Sequence, residues 1–269
     1  MLRRSTLAPA VLAAALLAGC NSSKEEPYVE RPVEELYNEA IDSVGKGSFK
    51  SAAKQFDEVE RQHPYSVWAT KAQLMAAYSL YEDSKYDDAI VALDRFIQLH
   101  PGNRDVPYAY YLKALSYYEQ ITDVQRDQRN TERALKALEE VVRRYPESRY
   151  ARDAKIKIDL THDHLAGKEM AIGRYYMGQG NYLAAINRFR VVVEKYQTTS
   201  QVPEALHRLT EAYLAIGITD EAQSSAAVLG HNFPGSVWYV DSYKLLTGKD
   251  LAPEKKSGSW LSRAWTSVF

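Results

Sequence analysis

Apolar residues recur along this chain at helical spacing, and the recurrence itself repeats. Ala52, Ala89, Ala134, Ala185 and Ala222 are each followed four residues later by a second core candidate: Phe56, Leu93, Leu138, Phe189 and Ala226. Positions four apart share one helical face, so each pair marks a buried stripe. Twelve residues after four of the five alanines stands a proline: Pro64, Pro101, Pro146 and Pro234; Ala185 meets Gln197 instead. Proline lacks the amide proton that would continue the helix and pushes its predecessor out of the helical region, so each stripe belongs to a helix that stops there. Ala40, Ala77 and Gly173 lie twelve residues upstream of Ala52, Ala89 and Ala185, and Leu36, Leu74, Leu112 and Leu209 mark an earlier helix in each unit. No segment sustains strand alternation.

The pattern predicts an all-α, helical-hairpin solenoid of about five tetratricopeptide-like repeats, each about 34 residues, small where two helices cross and aromatic where the next repeat stacks. The units fall near 33–66, 67–103, 104–148, 149–199 and 200–236. Two are irregular. The third carries an insert around Thr122–Asn130, and the fourth opens with a run from Arg149 to Met177 that reads as one long helix with Gly167 as its weak point. In a nearest-neighbour solenoid such departures mark places where something other than stacking is selected.

The ends of the chain follow other rules. Arg3 and Arg4 precede a short apolar stretch, Leu7 to Leu17, then Leu17-Ala18-Gly19-Cys20. The stretch suits a signal peptide and is too short for a bilayer, which takes roughly 20 apolar residues. The tetrapeptide resembles the bacterial lipobox. Cys20 is the only cysteine in the chain, so it has no internal disulfide partner. It is expected to carry covalent N-acyl and S-diacylglycerol lipid, which anchors the chain to a membrane. Asn21, where retained lipoproteins usually have Asp, implies export to the outer membrane. The domains are therefore a signal peptide (1–19), anchor and tether (20–32), repeats (33–248), and a linker with an amphipathic tail (249–269). In that tail Trp260, Leu261 and Trp265 share an apolar helical face with Ala264 and Val268 and are expected to dock on another subunit, with contact to the membrane surface and a tail that binds nothing as the alternatives.

Charge and chemistry narrow the function. Cleavage removes Arg3 and Arg4 from 34 basic residues, against 35 acidic ones, so the mature chain is slightly acidic. That argues against a nucleic-acid partner, which needs a basic field. His162-Asp163-His164 is the only histidine-rich spot. Histidines two apart on a helix diverge, whereas zinc helices use a spacing of four, so the spot reads as solvated polar surface. No phosphate loop, Gly-x-Ser-x-Gly or cysteine nucleophile is present. The expectation is a non-enzyme with no catalytic residue, no metal and no cofactor. Twenty tyrosines are the remaining oddity. Tyr78, Tyr81, Tyr108, Tyr110, Tyr111, Tyr117 and Tyr118 crowd two first helices, which in such repeats line a groove. Tyrosine's apolar ring and hydroxyl suit extended peptides, and Tyr81 and Tyr111 are the chosen contacts.

Lipobox, acidic tether and five irregular repeats together resemble the BamD family of outer-membrane protein assembly lipoproteins. Similar stretches are Asp94-Arg95-Phe96-Ile97-Gln98-Leu99-His100-Pro101, Tyr145-Pro146-Glu147-Ser148-Arg149-Tyr150, and Ala185-Ile186-Asn187-Arg188, within about residues 17–240. The resemblance implies a scaffold on the periplasmic face of the outer membrane. Its partners would be the β-barrel insertase BamA, accessory assembly lipoproteins and unfolded outer-membrane proteins. It also implies that Asn187 and Arg188 contact the insertase, so that Arg188→Glu would weaken binding with the fold intact. A competing reading is a cell-envelope repeat lipoprotein that binds or coordinates peptidoglycan synthesis.

Overall fold

The computed structural model describes residues 29–248. Cys20 and the tail residues Trp260, Leu261 and Trp265 lie outside the described residues. Residues 33–248 form helices joined by short turns. They are α1 (Val33–Gly45), α2 (Phe49–Gln62), α3 (Val67–Glu82), α4 (Tyr86–Leu99), α5 (Val106–Tyr118), α6 (Arg129–Arg144), α7 (Arg149–Gly178), α8 (Tyr182–Lys195), α9 (Val202–Ala215), α10 (Thr219–Asn232) and α11 (Val237–Thr247). Consecutive helices pack as hairpins α1–α2 through α9–α10, and each hairpin stacks on the next. The unpaired α11 closes the series against α9 and α10. Repeat spacing does not reach it, because no second helix follows it among the described residues.

The core repeats with the sequence. Each second helix buries a triad at i, i+4 and i+7: Ala52-Phe56-Val59, Ala89-Leu93-Phe96, Ala134-Leu138-Val141, Ala185-Phe189-Val192 and Ala222-Ala226-Leu229. The alanine that comes first in each triad is fully buried. Ala40 and Ala77 are fully buried on the facing helices. Gly173 goes further: a Cβ on it would sit 2.4 Å from Cε1 of Phe189, closer than any carbon contact allows. Burying each phenylalanine contributes roughly 1.5–3 kcal/mol.

Two turn devices link the helices. Within four hairpins the chain reverses through a left-handed residue, Gly47, Ser84, Gly180 or Gly217. The amide of the next residue then donates back into the last turn, Ser48 to Ser43, Lys85 to Leu80, Asn181 to Tyr176 and Ile218 to Tyr213, each at 2.9 Å. This is the Schellman closure, which glycine suits best; Ser84 adopts it at φ 59° with a side chain in place. Between hairpins, Pro-x-Ser ends one helix and caps the next. Ser66, Ser148 and Ser236 accept from the backbone amides of Trp68, Ala151 and Trp238.

The insert is shorter than the sequence suggests, since α6 already begins at Arg129. It folds back on α7: Lys168 Nζ donates to the Gln125 carbonyl at 2.8 Å, and Val124 Cγ1 lies 3.4 Å from where a Cβ on Gly167 would be. Gly167 is therefore the seat of the insert; α7 runs unbroken through it for 30 residues.

Candidate binding surfaces

First helices of successive units touch one another, α1 with α3, α3 with α5 and α5 with α7, while second helices make no comparable contact among the described residues. The first helices thus form one wall, and its middle is lined by tyrosines. The Tyr111 ring stacks on Tyr150 with centroids 5.3 Å apart. Tyr108 lies 5.5 Å from the same ring, and Tyr81 lies 5.6 Å from Tyr86. All are half-buried.

Carboxylates stand behind this wall. The Tyr111 hydroxyl donates to Asp153, and Tyr81 reaches Glu119 at 3.5 Å. Burial foremost raises the tyrosine pKa values: Tyr81 goes from 10.0 to about 12, with Glu119 next in effect; Tyr111 and Tyr118 are also pushed up, by burial and then by these carboxylates, and Tyr108 by burial and then by its neighbours Tyr78 and Tyr150. Cations cover the outer faces, Arg149 over Tyr150 and Lys157 over Tyr118, each 4.9 Å from the ring centroid.

A tyrosine whose folded pKa lies above its unfolded value binds its proton more tightly when folded. Its contribution is complete below about pH 10 and is lost as pH rises through about 12. Alkaline titration should therefore ionise part of the tyrosines late, together with loss of helical circular dichroism. Ionisation of every tyrosine near the ordinary value with helicity intact would refute it.

The second surface is on α7 and α8. Asn187 is exposed. Arg188 is not a free charge: its Nη1 donates to Glu169 Oε2 at 3.1 Å, with the side chains 42% and 20% exposed. Further along, Arg174 pairs with Glu204 at 3.0 Å, and Glu204 with Arg208, which lies over Trp238.

His162-Asp163-His164 is not the solvated surface its sequence suggests; all three residues are half-buried. His162 packs on Tyr196, Asp163 accepts from the Ser200 amide at 2.9 Å, and His164 lines a pocket. The reason is tertiary: α7 is long enough for this stretch to meet both the insert and the turn before α9. Among the described residues, no group of three or more His, Cys, Asp or Glu side chains is placed to hold a metal, and no helix is long and apolar enough to cross a membrane.

Residues 29–229 match the family model described as outer membrane lipoprotein, YfiO. A Caulobacter vibrioides protein named outer membrane protein assembly factor BamD is 55% identical over 247 residues, 91% of this chain and 81% of its own. A Rickettsia prowazekii protein of the same name is 47% identical over 231 residues, 86% of this chain and 92% of its own. Among solved structures, a thermophilic TPR protein from Thermus thermophilus matches 80% of this chain and 99% of its own, at 18% identity and a TM-score of 0.37. The fold assignment rests on the hairpins themselves.

Proposed function

The chain belongs to the outer membrane lipoprotein family whose curated members are named BamD, and from that membership we propose that it is a lipid-anchored periplasmic scaffold for β-barrel assembly. Its role as an outer-membrane protein assembly factor, at the outer membrane, follows from identity of 55% and 47% over most of both chains. That likeness is the observation that carries the reading. The finer parts are our own. The tyrosine wall of α3, α5 and α7 holds unfolded outer-membrane proteins, whose strands offer aromatic side chains and unpaired backbone. The α7–α8 surface around Asn187 and Arg188 holds the insertase BamA. The tail with Trp260, Leu261 and Trp265 docks on an accessory assembly lipoprotein. Such a scaffold works by binding, through half-buried aromatic and ion-pair surfaces, and uses no catalytic group.

The experiment that tests this is capture of the tagged full chain from outer membranes. A β-barrel insertase among the co-purified proteins is the expected result; peptidoglycan enzymes in its place would replace the reading. Anchoring has its own test. Cys20→Ser should remove the lipid and give either a soluble periplasmic form or an uncleaved precursor, since no other cysteine can take its place. The readouts are mature mass and detergent partitioning, and a mutant unchanged in both would end the lipid-anchor reading.

A further inference from the structure

The tyrosine wall continues beyond Tyr118. From Tyr150 along α7, Asp153, Lys157, Leu160 and His164 follow at steps of three and four, so they share one face. Asp153 accepts from Tyr111 and Lys157 covers Tyr118. Leu160 and His164 then wall a pocket with Tyr118, Glu119, Ile121 and Thr122, where the insert leaves α5. Its volume is about 330 Å³, at the small end of ligand sites and enough for one large side chain. Leu160 is 54% exposed although it faces this recess. The His164 Nε2 is buried with no hydrogen-bond partner among the described residues. His164 itself lines the pocket, so a side chain seated there would pack against its ring.

We infer that this pocket anchors one large apolar or aromatic side chain of an extended client, about six residues along the client from the aromatic residue held at the tyrosine end. The inference rests on the reading of the wall as a client groove. It is carried by continuity, because Tyr118 and Glu119 belong to both the wall and the pocket. Tyr150 to His164 spans roughly 21 Å at 1.5 Å per helical residue. A strand laid along α7 covers that distance in about six residues at ~3.3 Å each. An even separation puts both anchors on one side of the strand, as a single groove requires. Glu119 at the mouth selects against an acidic side chain there.

The test uses the full chain in detergent and fluorescently labelled, uncharged peptides, measured by anisotropy. One peptide carries two aromatic anchors six residues apart, a second carries them three apart, and a third carries one. The six-apart peptide should bind about tenfold more tightly than the other two. Leu160→Glu and Leu160→Trp, one adding charge and the other bulk at an exposed position, should both bring the six-apart peptide down to the affinity of the three-apart peptide, with circular dichroism confirming the helices. Equal affinity of the peptides for the unmodified chain, or an advantage that survives both substitutions, would overturn the pocket inference alone. Failure of every peptide to bind the unmodified chain would overturn the client-groove reading and the pocket with it.

Discussion

Replacing Phe189 with alanine is expected to cost about 3–5 kcal/mol, and placing a methyl group on Gly173 about 1–3 kcal/mol. The Phe189 ring is fully buried in the cluster that contains Met170, Ala185, Val192 and Leu209. It lies flat against the bare backbone of Gly173, where a Cβ would come within 2.4 Å of Cε1 and 2.8 Å of two neighbouring ring atoms. The ring has no room to retreat, because every side around it is core. Gly173→Ala must therefore separate α7 from α8 or force the ring from its rotamer. The two sites are coupled: in the Phe189→Ala background the new methyl falls into the cavity, so Gly173→Ala there should be close to neutral. In a solenoid each unit leans only on its neighbours, so the loss should be local. Hydrogen exchange should quicken in α7, α8 and α9 before α1 and α2. Denaturant titration of the two single variants and the double variant checks the energies. Additive losses, or an exchange profile that rises evenly along the chain, would show that the crossing is not the determinant.

Spacing in the sequence reveals this crossing because helix packing is a local, periodic demand. Alanine or glycine is needed wherever two backbones approach, and proline wherever a helix must end. The phase shared by Ala52, Ala89, Ala134, Ala185 and Ala222 therefore locates a fully buried stripe in each unit. Turn chemistry is partly legible. Gly47 and Gly180 are visible in glycine-rich turns, but Ser84 performs the same left-handed reversal and looks like an ordinary polar residue. The capping serines are also readable, as the third member of Pro-x-Ser at Ser66, Ser148 and Ser236, though the prolines alone mark the helix ends by spacing. The site is less legible because it is assembled between units. Tyr81 and Tyr111 stand out by residue type, whereas Asp153, Tyr150, Lys157 and Leu160 become neighbours of that cluster only once α7 is laid against α5. No local pattern announces a carboxylate behind a tyrosine 42 residues away. Gly167 shows the opposite failure. Glycine within a helix normally signals weakness, but here Val124 of the insert packs at contact distance, 3.4 Å, from where a Cβ on Gly167 would lie.

Arg188→Gln is expected to weaken insertase binding by about 2–5 kcal/mol, on the order of 30-fold to several thousand-fold at 1.4 kcal/mol per decade. The structure changes which substitution is informative. Charge reversal to glutamate would set two carboxylates together, because Glu169 already lies 3.1 Å from the guanidinium and is only 20% exposed. Arg188→Glu would therefore strain the α7–α8 hairpin as well as the interface, and its expected harmlessness to the fold does not hold. Glutamine removes the charge without adding repulsion. The pair it breaks inside the chain is partly solvated and worth no more than about 1 kcal/mol. The internal pair also leaves room for a partner. Glu169 takes only Nη1, while a guanidinium carries five donors in a planar fork, so Nε and Nη2 remain for a second carboxylate. Closing the interface would desolvate both pairs, and losing the shared cation would then leave two buried carboxylates uncompensated, which explains why the binding loss should far exceed the folding loss. Surface plasmon resonance against the insertase's periplasmic domains, alongside thermal melts of the free chain, separates the two quantities. Binding at wild-type strength by a stably folded Arg188→Gln protein would confine Arg188 to its pairing with Glu169 and move the insertase contact elsewhere.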